Sequence, residues 1–262
     1  MAGRGQTPGM AFWRRRPAFE LPADWEDQVS ERVVRWWDYT PDERGRLQGL
    51  IVRLLTEKRW EAARGFELTE EMRLVIAAQA AILILELDFS AYRKVGSIIV
   101  HPTTIVLQGE RASASMSGLV TDDPMAILGQ ADHDGGPVVL VWDEAERNAR
   151  HPERGYNVVF HEFAHKIDML DGVVDGTPPL ETIQLHDRWV AACTAEFAAI
   201  RGGGGSHLVR DYAATNAGEF FAVVTEVFFD RGRELQSDRP ELYAVLSAFY
   251  RQDPAARERA HR

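Results

Sequence analysis

Three residues within five can do chemistry together: His161, Glu162 and His165, in V-V-F-H-E-F-A-H-K-I-D over 158–168. On a helix, residues four apart share one face, a turn apart. Both imidazoles can then reach one metal ion. Glu162, beside the first histidine, can meet a water on that ion without binding the ion itself. Two neutral nitrogen ligands, an open water position and a nearby carboxylate base are what a zinc hydrolase needs. The other reading is a chance match on an ordinary amphipathic helix. Val158, Val159, Phe160, Phe163, Ala164 and Ile167 count against it, because polar groups set in an apolar wall need partners.

Two histidines and a water leave one protein ligand to find. The remaining histidines are His101, His133, His151, His186, His207 and His261, and none follows at H-E-x-x-H-x-x-G-x-x-H spacing. Carboxylates are more telling. Glu219 and Glu226, in E-F-F-A-V-V-T-E, stand two helical turns apart on one face, among Phe220, Phe221, Val223 and Val224. Buried carboxylates without partners are costly, so at least one should face a cation. The alternative sets both on a thin solvent stripe. Spacing does not separate the two candidates. Asp168, three after His165, can support a ligand imidazole or be a surface charge. Glu226 can also act in that supporting way, and His186 reads as a surface histidine or a substrate-binding donor.

The elements that must position these residues are mostly helical. Thr40-Pro41-Asp42-Glu43 is a helix start, with Thr40 as N-cap and Glu43 closing a capping box. Thr69 is a second cap, and from Ala77 to Leu87, apart from Gln79 and Glu86, the chain is apolar all round, so this helix should be central. Ser97 to Leu107 reads as a strand with a bend at His101-Pro102, and Gly109 to Met116 as a neighbour to it. Pro137 to Trp142 is the clearest strand. Arg147 to Gly155 reads as a polar connection. Helices follow over about 156–170, 181–200, within 212–230, and over 241–250. The glycine run 202–205 reads as a surface loop inside one domain, because metal-site candidates lie on both sides of it.

The fold class expected is α+β, mainly helical, with a small mixed sheet and a helical N-terminal region. The division expected is a poorly ordered stretch 1–22, a single domain 23–255 and a tail 256–262. Within the domain, 23–95 would be a helical N-terminal part and 96–255 the catalytic core. With 40 acidic against 30 basic residues the net charge is -10, which argues against a nucleic-acid surface. A single cysteine, Cys193, allows no internal disulfide and reads as a small core residue. Neither an apolar signal region nor a run long enough to span a membrane is visible, so the expectation is a cytoplasmic protein.

H-E-F-A-H-K-I-D-M-L-D-G at 161–172, Y-A-A-T-N-A-G-E-F-F-A-V-V-T-E-V-F-F at 212–229 and F-Y-R-Q-D-P at 249–254 resemble the Mlc titration factor A family. The similarity takes in residues 71–85 and S-I-I-V-H-P at 97–102, and so covers roughly 40–255. The resemblance implies a bacterial cytoplasmic zinc metallopeptidase with a zincin-type core, one Zn2+ per chain and a glutamate as third ligand. It puts His161, His165 and Glu219 on the metal, Glu162 as catalytic base and Tyr212 as oxyanion donor. Peptides or proteins would be substrates, with aminopeptidase action one form of the activity. It also implies a second function of a different class, a regulatory protein that sequesters a transcriptional repressor. Ala217-Gly218 stands where the family often has Pro-Ala, which puts the start of the Glu219 helix in question.

Overall fold

A computed structural model describes residues 17–63, 65–103 and 136–260. In chain order come α1 (Trp25–Ser30), a 3-10 turn (Val34–Asp38), α2 (Pro41–Glu57), β1 (Arg59–Ala62) and α3 (Glu70–Leu83). A 3-10 turn (Phe89–Tyr92), β2 (Ser97–His101), β3 (Val138–Val141), α4 (Trp142–Arg150) and α5 (Val158–Asp168) follow. The chain closes with α6 (Ile183–Arg201), a 3-10 turn (Asp211–Ala214), α7 (Ala217–Asp230), α8 (Gly232–Asp238), α9 (Pro240–Tyr250) and α10 (Pro254–Ala260). The fold is mainly helical α+β, as the sequence predicts.

Local signals explain where the helices start. The Thr40 hydroxyl accepts from Glu43 N–H at 3.3 Å, and the Glu43 carboxylate accepts from Thr40 N–H at 2.8 Å. Thr69 caps α3 through Met72 N–H at 3.2 Å. From Leu74 to Leu83 every residue of α3 is buried, which is why its sequence shows no polar face. From Phe220 to Asp230, α7 is buried likewise. It packs against α5 and forms the second wall of the centre.

The sheet runs β1-β2-β3, with both pairs parallel and Ile98 opposite Trp60 on one side and Val138 on the other. All pairings among the described residues are parallel, so the antiparallel member of the mixed sheet expected is not among them. The expected neighbour at 109–116 and the rest of the 97–107 strand beyond 103 lie outside the described residues. β1 falls inside the stretch expected to be wholly helical. R-W-E-A is short and only half buried, so it shows neither alternation nor an apolar run. α3 is the crossover that a parallel β1–β2 pair requires.

Other differences have equally plain causes. Residues 142–150 form α4, where a strand end and a polar connection were expected. This helix buries only Trp142, Ala145, Asn148 and Ala149, a narrow stripe. Phe19 and Leu21, in the stretch expected to be poorly ordered, pack on the core, and Phe19 N–H donates to Thr56 Oγ1 at 2.8 Å. Residues 254–260, at the expected start of the tail, form α10 against α8. The F-Y-R-Q-D-P stretch proves to be a staple. Gln252 Nε2 donates to the Ile82 carbonyl at 2.8 Å, closing the end of α3, and Tyr243 OH donates to Asp253 at 2.6 Å.

Candidate metal centre

α5 begins where a side chain can hold its first amides. Asn157 Oδ1 accepts from Val159 and Phe160 N–H at 3.1 and 3.0 Å, and Asn148 Oδ1 accepts from Val158 N–H at 3.0 Å. The apolar faces of α5 pack on α7, α3 and β3. His161 and His165 then fall on one side, with ring centroids 4.8 Å apart. α7 starts at Asn216, whose side chain accepts from Glu219 N–H at 2.9 Å and so fixes the turn that carries the Glu219 carboxylate.

The structure brings Glu219, not Glu226, to the two Nε2 atoms. Glu219 Oε2 lies 3.1 Å from His161 Nε2 and 3.5 Å from His165 Nε2, and the two nitrogens are 3.1 Å apart. Tetrahedral ligands at ~2.0–2.1 Å from an ion stand about 3.3 Å from one another, so this triangle has the size a metal demands. The hydrogen bonding argues the same way. Glu226 accepts at His161 Nδ1, 2.7 Å away, which puts the ring proton on Nδ1 and leaves Nε2 as a lone pair. That lone pair faces Glu219 Oε2, a buried carboxylate oxygen to which no group among the described residues donates while both Nε2 atoms are unprotonated. Two acceptors turned on each other need a cation between them. For the chain alone a proton fills that role. Burial works to lower His161, but Glu219 and Glu226 outweigh it and raise its pKa to about 10. Burial likewise works to raise Glu219, and the two imidazoles instead hold it far below the usual carboxylate range. A divalent ion would do the same job, with His161, His165 and Glu219 able to hold it together. The donor set of two imidazoles and one carboxylate suits zinc.

Behind His161 lies a second layer. Glu226 is fully buried and accepts three hydrogen bonds: His161 Nδ1 at 2.7 Å, Arg210 Nη2 at 2.6 Å and Asn157 N–H at 2.6 Å. Asn157 Nδ2 in turn donates to Gln79 Oε1 at 3.1 Å, which ties the layer to α3. Sequence reasoning weighed Glu226 but missed Arg210, Asn157 and Gln79. Asn157 had a signal, as a cap residue just before an apolar run. Gln79 stood as one polar residue in an apolar helix. Arg210 had none.

The other candidates fall as follows. Glu162 neighbours the histidines on α5; burial raises its pKa above the usual range, against the pull of His161 and His165. Tyr212 lies on the 3-10 turn before α7, its ring centroid 6.3 Å from that of His161. Asp168 does not support an imidazole: its Oδ2 accepts from Gly176 N–H at 3.0 Å, and its Oδ1 has no hydrogen-bond partner among the described residues. The loop it fastens closes on α7. Gly176 has φ +74°, and a Cβ there would stand 2.3 Å from the Ala217 carbonyl oxygen, so only glycine fits. Gly218 answers the doubt about Ala217-Gly218, since a Cβ there would meet Val174 at 2.9 Å. The helix start is closed by packing, not loosened. His186 is exposed beside Asp187. Burial pushes the Cys193 thiol up to about 12, which suits a packing residue and no nucleophile. No described helix is long and apolar enough to cross a membrane.

Known proteins resemble this chain along most of its length. It is 34% identical over 253 residues to an uncharacterized protein of Synechocystis, covering 94% of this chain and 91% of that protein. Mlc titration factor A of Serratia proteamaculans is 30% identical over 94% of this chain and 93% of its own length. That of Edwardsiella ictaluri is 33% identical over 82% and 83%. The profile of the glucose-regulated metallo-peptidase M90 family matches residues 10–251. With this match spanning the helices that build the centre, the chain belongs to the glucose-regulated metallo-peptidase M90 family.

Proposed function

We propose that this metallopeptidase is a zinc enzyme that hydrolyses peptide bonds, with His161, His165 and Glu219 holding the ion. The observation that carries the reading is the triangle of His161 Nε2, His165 Nε2 and the buried Glu219 Oε2, 3.1–3.5 Å on its edges. When bound, the ion supplies Lewis acidity and makes water a nucleophile near neutral pH. Glu162 takes the proton of the attacking water and later gives it to the departing amine nitrogen. Its raised pKa suits that two-way transfer. Tyr212 donates its hydroxyl proton in a hydrogen bond to the developing oxyanion. Glu226 holds the His161 ring with Nε2 turned to Glu219 and His165, where it would meet the ion. Among the described strands β3 is at the sheet edge and packs against α5, a place where an extended peptide can add as a strand. The setting in this reading is the cytoplasm, which the single cysteine supports.

The direct test is Glu162→Gln, assayed on chromogenic amino-acid and peptide substrates with zinc content measured in parallel. We expect zinc to stay and turnover to fall by about 100- to 10,000-fold. Full turnover would sink the assignment. The same substrate panel separates aminopeptidase from endopeptidase action.

A second reading rests on the relatives named Mlc titration factor A. In it the chain binds a repressor protein, with or without peptidase action. A pull-down with purified repressor, with and without chelator, tests it. Capture that ignores chelator separates the two functions, and no capture in either condition removes the second.

A further inference from the structure

We propose that Arg210 is a positioning residue for the metal centre: it locks the carboxylate that orients His161 and so sets how tightly the cluster keeps its ion. The inference rests on the metallopeptidase reading above and goes beyond it. Glu226 Oε1 receives both His161 Nδ1 at 2.7 Å and Arg210 Nη2 at 2.6 Å. The other oxygen receives Asn157 N–H at 2.6 Å. A glutamate carboxylate turns easily about its last bond. With Asn157 alone opposite His161, that rotation would carry Oε1 and the ring together. Arg210 removes the freedom, because its guanidinium is itself fixed, with Cζ 4.2 Å above the Tyr156 ring.

The placement is selective. The Arg210 side chain is 27% exposed while Glu226 is completely buried, so the charge that neutralises Glu226 arrives from the rim of the site. Arg210 is also the N-cap position of the Asp211–Ala214 turn, which carries Tyr212. One side chain therefore ties that turn to the metal helix through a residue of α7. A residue outside the ligand shell that fixes a ligand's partner should change metal affinity by a measurable factor, because partners of this kind matter by about 10–100-fold.

The experiment measures the zinc dissociation constant of the full chain by competition with a chromophoric chelator, and the melting temperature of each variant in excess chelator. We expect Arg210→Gln to raise the Kd about 10-fold. In a Glu226→Gln background the same change should cost less than about threefold, because Arg210 acts through Glu226. A merely structural arginine would lower the melting temperature in chelator and leave the Kd at the wild-type value, which overturns the proposal. A full 10-fold loss in the Glu226→Gln background overturns it too. Should Arg210→Gln not fold, Arg210→Lys decides. It keeps the charge without the flat, stacked fork, and a Kd about threefold higher supports the proposal, whereas a wild-type Kd overturns it. A wild-type chain that takes up no zinc defeats the metallopeptidase reading and this one together. Equal zinc affinity in wild type and Arg210→Gln defeats only this one.

Discussion

The two helices of the candidate metal centre carry their polar groups in opposite ways. α5 gathers His161, Glu162 and His165 within five residues, so one turn presents two nitrogens and a carboxylate. α7 sets Glu219 and Glu226 two turns apart, with side chains 17% and 0% exposed. The first turn of α7 opens onto the Nε2 atoms, and its middle faces the far side of the same His161 ring. One imidazole is thus held between two carboxylates of one helix. Like residues on one helix face are sorted by depth and by the donors that neighbouring elements bring, not by spacing.

Removing each carboxylate in turn puts that contrast at most risk. Glu219→Ala should lose zinc and all peptidase activity. Glu226→Ala should keep zinc with affinity weakened about 10–100-fold. It should also lower stability by about 1–3 kcal/mol, since it leaves the buried Asn157 N–H and His161 Nδ1 without their acceptor. Metal analysis and denaturant unfolding read both, and loss of zinc from the second variant alone would reverse the roles of the two residues.

Tyr212→Phe probes the rim that α7 shares with the preceding turn. Turnover should drop about 100-fold while zinc stays at one per chain. Unchanged turnover would leave Tyr212 as packing only.

Asp168 sharpens the contrast from the α5 side, because among the described residues no cation forms an ion pair with it. Burial, opposed by the Gly176 N–H, raises its pKa to about 6. The unfolded chain releases this proton near pH 3.9 and the folded chain only near 6, so stability falls across that window and the loss is complete above it. Asp168→Asn should therefore stabilise the protein in chelator at pH 7 by on the order of 2 kcal/mol, and by nothing below about pH 4. Unfolding curves at both pH values decide it; an equal effect at both would place the cause in packing.

The smallest effects belong to the two caps. Asn216→Ala removes one exposed cap bond and should cost about 1 kcal/mol. Asn157→Ala also unties Gln79, and should cost about 2 kcal/mol. Thermal unfolding orders them, and equal costs would mean that the link to α3 adds nothing.

Much of this was legible in the residues, for reasons that are local. H-E-x-x-H announces a metal because helical geometry alone brings i and i+4 together. The caps at Thr40 and Thr69 and the apolar runs of α3 and α7 come from backbone satisfaction and burial, which nearby residues decide. The family is legible for the same reason, since its motifs are contiguous. β1 was not legible, because it is short, half exposed and held by β2 far along the chain. α4 does carry a local signal, with Asp143 and Glu144 in its first turn and Arg147 and Arg150 in its last, but it begins on the last residue of an apolar strand run and its stripe is narrow.

The sequence by itself determined that two histidines and a glutamate stand together on one helix in a metal-site pattern, that Glu219 and Glu226 are the candidates to meet them, and that helices dominate. Only the tertiary structure decided which glutamate meets the Nε2 atoms, and that Asp168 turns away to Gly176. It alone set Arg210, Asn157 and Gln79 behind the ligand. Those residues come from α3, from the turn before α5 and from the segment before α7. What joins them is the cost of burying a charged Glu226 without donors, a cost that has no meaning until the chain has closed around it.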